Sequence, residues 1–213
     1  MNALSIGDLK GIVALISQIM DDNRARLIEI DGQIGDGDLG ITMAKGFMAA
    51  RKETESSVET DAGKLLTKTG VAIAKAAPST MGTLVATGFM AGGRSVVGTD
   101  SLDLARLAAF FKAFVEGIMQ RGKAKPGEKT VVDVFFPAAE AIASAAAEGK
   151  DLSEGMRLCF AAAKEGLART RNMVAQHGRP AYYQERSREM EDPGATAGLL
   201  IIQGFHDWIA LRS

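Results

Sequence analysis

The chain has 213 residues, a net charge of −1, 46% apolar and 24% charged residues, and a single cysteine. That length is enough for one domain with a sizeable core, and the composition is that of a globular chain. The near-neutral charge argues against a broad nucleic-acid or anionic-membrane surface, one cysteine excludes an internal disulfide framework, and no run approaches the roughly 18 apolar residues that span a bilayer.

Apolar residues recur with a period of 3.6 almost throughout. Leu9, Ile12, Val13, Ile16, Ile19 and Met20 predict a first helix over about 6–21. A short helix follows over 23–30, where Arg26–Ile30 is also the best strand candidate of the chain. Next comes an acidic, glycine-rich loop over 31–42. A third helix starts near Gly40 and carries Met43, Phe47 and Met48. Thr60 or Asp61 caps a fourth, which ends before Pro78. A fifth spans Met81 to Ser95, and a sixth is capped by Asp100 or Ser101 and carries Leu104, Leu107, Phe110, Phe111, Phe114 and Ile118. The seventh covers 131–147. The eighth starts at Asp151 with Glu154 placed as in a capping box and runs to about Ala175; the last covers Gly194 to Leu211. Alanine between the larger residues favours close helix packing. The expected fold is an all-α antiparallel bundle of about eight helices, one domain over 1–213.

The loop at 31–42 carries the chemistry. Asp31, Asp36 and Asp38 crowd among Gly32, Gly35, Gly37 and Gly40. Three like charges held close repel unless a cation joins them, and all-oxygen ligands on a tight turn suit Mg²⁺ or Ca²⁺. Gly35-x-Gly37-x-x-Gly40 matches a dinucleotide fingerprint in letters, but Asp36 and Asp38 would repel a bare pyrophosphate. A calcium loop starting at Asp36 needs Gly at its sixth position and Glu at its twelfth, where this chain has Ile41 and Phe47. A metal that in turn holds phosphates remains. The plainer alternative is that Asp38 caps the third helix.

Three other segments interrupt the helices: Pro78–Thr83 with its hydroxyls, the basic Arg121–Thr130, and the long polar Gly178–Gly194. Each places amide donors or cations at a helix start, where phosphates bind well. Ser79 and Thr80 are phosphate contacts or caps. Arg179 or Arg186 steadies phosphate charge or pairs with Glu185, Glu189 or Glu191; Lys129 caps or contacts phosphate, or is simply solvated. Cys159 reads as helix core. With only His177 and His206, a histidine-rich zinc site is excluded.

Taken together, the segments resemble the dihydroxyacetone kinase nucleotide-binding family. The resemblance rests on Asp31-(x)₄-Asp36-Gly37-Asp38-x-Gly40-x-Thr42, on Gly122-Lys123-Ala124-(x)₂-Gly127-x-Lys129-Thr130-(x)₂-Asp133, and on Gly178-Arg179-(x)₂-Tyr182-(x)₂-Glu185-Arg186-Ser187 with Asp192-Pro193-Gly194-Ala195-Thr196. A free-standing chain of this length resembles the L-type subunit of that family. The resemblance implies an eight-helix barrel with ADP or ATP at one end, and two Mg²⁺ ions held by Asp31, Asp36 and Asp38. It implies nucleotide contacts from Leu39, Gly40, Ile41 and Thr42, and a pocket lined by Ser79, Thr80, Met81, Gly122, Val131, Arg179, Asp192, Pro193 and Gly194. It further implies a cytoplasmic subunit that hands phosphoryl groups from an M-type phosphocarrier of a phosphoenolpyruvate relay, through bound ADP, to dihydroxyacetone on a K subunit. A homodimer and contact with a transcription regulator fall within the same family pattern. The subunit form often has His and Asn where this chain has Leu39 and Thr42, and Gly-Gly-x-Ser-Gly where it has Pro78-Ser79-Thr80-Met81-Gly82. Thr42 is more like the fused ATP-dependent members, which leaves room for another ketose as acceptor.

Overall fold

The computed structural model describes residues 1–212. Among the described residues there are nine α-helices: α1 (Ile6–Asp22), α2 (Arg24–Ile34), α3 (Leu39–Ser56), α4 (Ala62–Ala76), α5 (Thr80–Ser95), α6 (Leu104–Gly122), α7 (Val132–Ala147), α8 (Leu152–Thr170) and α9 (Pro193–Ala210). Their starts follow local chemistry. Ser5 caps α1 in a reciprocal capping box with Asp8, Asp61 accepts from the Lys64 N–H at α4, and Asp151 accepts from the Glu154 N–H at α8.

Eight of these helices close a ring. From α3 each packs on the next through α9; α9 returns to α1, and α1 packs on α3. Short connections make neighbours antiparallel. The chain's two short strands fix the direction of α1. β1 (Leu4–Ser5) pairs antiparallel with β2 (Ser101–Leu102), which follows the end of α5, so α1 starts at the end of the barrel where α5 finishes. The starts of α3, α5, α7 and α9 therefore share the opposite end. α2 stands outside the ring and packs against α3, α9 and the segment before α9.

The barrel interior is an aromatic column. Phe47, Phe89, Phe110, Phe111, Phe114, Phe135 and Phe205 are all buried and come from five different helices. Phe114 lies 4.5 Å from Phe135 and 5.2 Å from Phe89 between ring centroids, and Phe111 lies 5.2 Å from Phe205. Rings at these spacings gain beyond the area they bury. Cys159 is buried in α8, where burial pushes its thiol well above the usual range. Among the described residues, no helix is long and apolar enough to cross a membrane.

The all-α ring agrees with the periodicity, and four local expectations are corrected. The short second helix, expected to end near Ile30, includes Arg26–Ile30 as expected but continues to Ile34 and carries Asp31 with it; the last turn is closed by the Gly35 N–H on the Asp31 carbonyl. The cap of α6 is Asp103, which accepts from the Arg106 N–H, since Ser101 is extended in β2 opposite Ser5. Helix α8 stops at Thr170, whose carbonyl is taken by the Lys129 ammonium. Part of the long polar loop is itself a 3-10 segment, Arg179–Ser187, kinked at Gln184.

Candidate functional site

A cavity of about 410 Å³ opens at the barrel end where α3, α5, α7 and α9 begin. Its wall is contributed by Gly35, Asp36, Asp38 and Leu39, by Pro78–Met81, Lys129–Val131 and Asp192–Gly194, with Asp31, Leu84 and His177–Pro180 completing it. Four helix N-termini thus face one space. Each helix start carries about half a positive charge, an arrangement that attracts anions.

Three carboxylates stand at the same place. One oxygen from each of Asp31, Asp36 and Asp38 lies within 4.8 Å of the others. Asp31 projects from the last turn of α2, and its Oδ2 accepts from the backbone N–H of Asp38 at 3.0 Å and of Leu39 at 3.2 Å. That pair of bonds ties the start of α3 to the end of α2. Gly37, at φ +73°, makes the turn that brings Asp36 and Asp38 back toward Asp31. Gly40 lets α3 pass against the Arg24 carbonyl, where a Cβ would collide with backbone. The Asp38 side chain makes no capping bond to α3, so capping does not explain it. Desolvation, then the charges of Asp36 and Asp31, hold the Asp38 carboxyl above the usual range. An all-oxygen set of this kind, part exposed and mutually repelling, fits a hard divalent cation that keeps positions open for phosphate or water.

Most of the residues named from the sequence converge here. Asp31, Asp36, Asp38, Leu39, Ser79, Thr80, Met81, Val131, Arg179, Asp192, Pro193 and Gly194 all line the cavity. Gly40, Ile41, Thr42 and Gly122 do not. Gly40 is buried in the α2–α3 contact, and Ile41 is exposed on a separate groove between α1 and α3. Gly122 backs onto Leu84, itself a lining residue. Ser79 works as the cap of α5, accepting from the Gly82 N–H at 3.0 Å.

Two cations are placed differently from expectation. Arg179 pairs with Asp36 at 2.8 Å, not with a glutamate of its own loop. Those glutamates have other partners: Glu185 takes Arg188, and Glu191 takes Arg26 and Arg171. Lys129 is neither solvated nor a cap of its own helix; it is 1% exposed, with Nζ donating to the Thr170 carbonyl at 2.6 Å and the Met190 carbonyl at 2.8 Å. Burial lowers its pKa, with Asp192 the main opposing charge. Asp192 caps α9 by accepting from the Ala195 N–H at 2.6 Å, and burial lifts its carboxyl to about 7 against that bond and the Lys129 charge. Asp133 accepts from the Gly127 and Thr130 amides and shapes the loop before α7. His177, not singled out as a site residue from the sequence, joins Glu128 at 2.7 Å across the two loops that wall the cavity.

A ring of helices that aims four N-termini and three carboxylates into one end cavity has the donor set of a metal- and phosphate-handling domain. The DAK2 domain family matches residues 33–207, most of the chain, and the chain belongs to that family. It is 30% identical over 177 residues to the ADP-binding subunit of the PEP-dependent dihydroxyacetone kinase of Escherichia coli (strain K12), covering 83% of this chain and 84% of that one. It is 31% identical over 201 residues to the L-erythrulose 1-kinase of Mycolicibacterium smegmatis, covering 91% of this chain and 34% of that one. Among solved structures, the dihydroxyacetone kinase of C. freundii in complex with AMP-PNP and Mg²⁺ superposes on 93% of this chain with a TM-score of 0.71 at 21% identity, which establishes the shared fold. This chain spans about a third of that kinase's length.

Proposed function

We propose that this chain is the nucleotide-carrying subunit of a dihydroxyacetone-type kinase, with residues 1–213 acting as one cytoplasmic domain. Asp31, Asp36 and Asp38 hold two Mg²⁺ ions against the phosphates of ADP or ATP. The cations, once bound, neutralise charge on the transferring phosphoryl group. Leu39, Thr80, Arg179 and Asp192–Gly194 surround the nucleotide, and Met81, Leu84 and Val131 offer apolar surface suited to a base. The observation that carries the reading is the convergence of three carboxylates, within 4.8 Å of one another, on a cavity ringed by helix N-termini. Each sign of charge alone would reject either metal or phosphate; together they take both.

In this reading the chain supplies no nucleophile. Neither histidine is among the residues proposed to carry the phosphoryl group: His177 is tied to Glu128, and His206 stacks on Phe160 beside Asp207. The phosphoryl group passes from an M-type phosphocarrier to bound ADP, and then to dihydroxyacetone on a K subunit. The names of the E. coli and similar relatives support the donor and the acceptor. Purified protein analysed by mass spectrometry under native conditions should carry ADP with two Mg²⁺ ions. Protein that carries no nucleotide and binds neither ADP nor ATP by calorimetry in Mg²⁺ sinks the reading.

A second reading is a kinase subunit that uses free ATP on a four-carbon ketose. Thr42 and the similarity to L-erythrulose 1-kinase favour it. Fast exchange of bound nucleotide, with turnover on ATP and a K subunit but no phosphocarrier, separates it from the first. A regulatory role, in which a transcription regulator reads the nucleotide state of a monomer or homodimer, would be supported only if a pull-down captured such a regulator and no phosphoryl flux were found.

A further inference from the structure

Lys129 carries three independent signs of a fixed role. Its backbone stands at φ +57°, a region that side chains other than glycine seldom adopt. Its side chain is fully inside the protein, where an ammonium is costly unless its donors are met. Its two acceptors, the Thr170 and Met190 carbonyls, come from segments far apart in sequence, and Lys129 itself lines the cavity. Thr170 is the last residue of α8, at the helix end that carries partial negative charge, and its carbonyl accepts from the Met173 N–H as well as from Lys129. Met190 lies two residues before Asp192, the cap of α9.

The surrounding bonds show what this grip controls. Besides the exposed ion pairs of Arg179 with Asp36 and of Arg26 and Arg171 with Glu191, the segment between α8 and α9 is attached by a few backbone links. Ser187 Oγ accepts from the Ala175 N–H, the Glu189 N–H donates to the Arg171 carbonyl, and the Gln176 N–H donates to the Glu128 carbonyl. None of these reaches the Asp192–Gly194 turn. That turn sits against the opposite wall: a Cβ on Gly194 would lie 3.7 Å from Met81 Sδ and 4.0 Å from the Val131 nitrogen. Among the described residues, the ammonium is the one side-chain link from the loop before α7 to the chain just ahead of the turn.

We infer that Lys129 is a positioning residue that clamps the 188–194 segment as the outer wall of the cavity and so sets how tightly a nucleotide is held there. The inference rests on the nucleotide reading above for its ligand and on the two carbonyl bonds for its mechanism. Lys129 does not touch the carboxylate cluster, so a bare cation should not feel its loss.

The test compares wild type with Lys129→Met, which keeps the length of the side chain and removes the donors. Hydrogen exchange should rise at least tenfold at amides 188–194 with the barrel helices unchanged. The dissociation constant for ADP in excess Mg²⁺ should rise at least tenfold, while Mn²⁺ binding without nucleotide stays within twofold. Unchanged exchange at 188–194 overturns the inference, and so does faster exchange with ADP affinity unchanged. A parallel loss of Mn²⁺ and ADP binding also overturns it, because a general structural role predicts that pattern. Should the Met variant not fold, Lys129→Gln, which keeps one donor, takes its place with the same criteria. If neither folds, the lysine supports the whole barrel and the inference is overturned. Wild type that binds no nucleotide at all defeats the functional reading instead, and the exchange measurement then decides the clamp by itself.

Discussion

Asp38→Asn separates a metal site from a structural turn. Asp38 makes no capping bond to α3, so the amide loses nothing to the helix. Its carboxylate can approach those of Asp31 and Asp36 to within 4.8 Å. A like-charge pair at that distance costs roughly 1 kcal/mol in a water-like dielectric, and Asp38 takes part in two. The relief is smaller than the sum, because Arg179 already offsets charge on Asp36. Metal-free Asp38→Asn protein should therefore match the wild type or gain about 1 kcal/mol, raising its melting temperature by about 2–4 °C. In Mg²⁺ and ADP the order should reverse. Wild type gains about 2.7 kcal/mol when ligand stands at 100 times its dissociation constant, and the variant gains little because a cation ligand is gone. Thermal melts in EDTA and in Mg²⁺ with ADP, alongside calorimetry, read both effects. A metal-free melting temperature lowered by more than a few degrees, with Mg²⁺-dependent ADP binding retained, would refute the reasoning. Asp31→Asn is a poorer probe, since Asp31 also accepts the Asp38 and Leu39 amides that join α2 to α3.

Three further outcomes follow from other parts of the molecule. Asp192 has a native pKa raised from 3.8 to about 7, chiefly by burial, so its contribution to stability is complete below about pH 4 and is lost as pH rises through 7. Linkage bounds that loss at about 4 kcal/mol, and Asp192→Asn, which can still cap α9, should flatten the decline in denaturant stability between pH 5 and pH 8; parallel curves would refute the assignment. Glu128 is held below its ordinary pKa by the Lys125 amide and then by His177, so this link persists above about pH 4.5 and fails on acidification; amides 175–178 should exchange faster at pH 3.5 than the intrinsic pH effect requires, and no more than intrinsic change would count against it. Phe114→Ala empties the centre of the aromatic column and should cost about 3–5 kcal/mol by urea unfolding, whereas a loss under 1 kcal/mol would mean that the column collapses around the gap.

Helix periodicity was legible because nearly every helix buries one stripe, as α1 does with Leu9, Ile12, Val13, Ile16 and Met20. Ring closure was not, since it depends on α9 meeting α1, and no local pattern encodes that contact. The acidic segment was readable as chemistry but misplaced as geometry. Asp31 looks like the start of a loop beside Gly32, yet the turn of α2 that it closes is held by bonds from residues seven and eight positions later. Lys129 and Arg179 were invisible in their true roles for a shared reason. A charged side chain in a polar loop reads as solvated, and only the fold reveals that Lys129 is enclosed by α8 and the 190 region or that Arg179 reaches Asp36. Capping was legible at Asp61 and Asp151, and was misplaced at α6, where the cap is Asp103, because β2 takes Ser101 into a pairing with a strand nearly a hundred residues away.

The two charge systems of the cavity explain why metal and nucleotide should bind together. The helix starts draw phosphate inward, while Asp31, Asp36 and Asp38 repel it from the same side. A divalent cation reverses the second term without weakening the first, because the amides of Asp38 and Leu39 are already spent on Asp31 and the ends of α5, α7 and α9 are not affected. Arg179 adds a smaller version of the same reversal: paired with Asp36, it removes one negative charge at the rim and remains free to move, since it is mostly exposed. The carboxylates therefore set the condition for binding, and the helix ends set its direction. On the proposed reading, a domain built this way would hold a nucleotide by its phosphates, with the acceptor supplied by a partner.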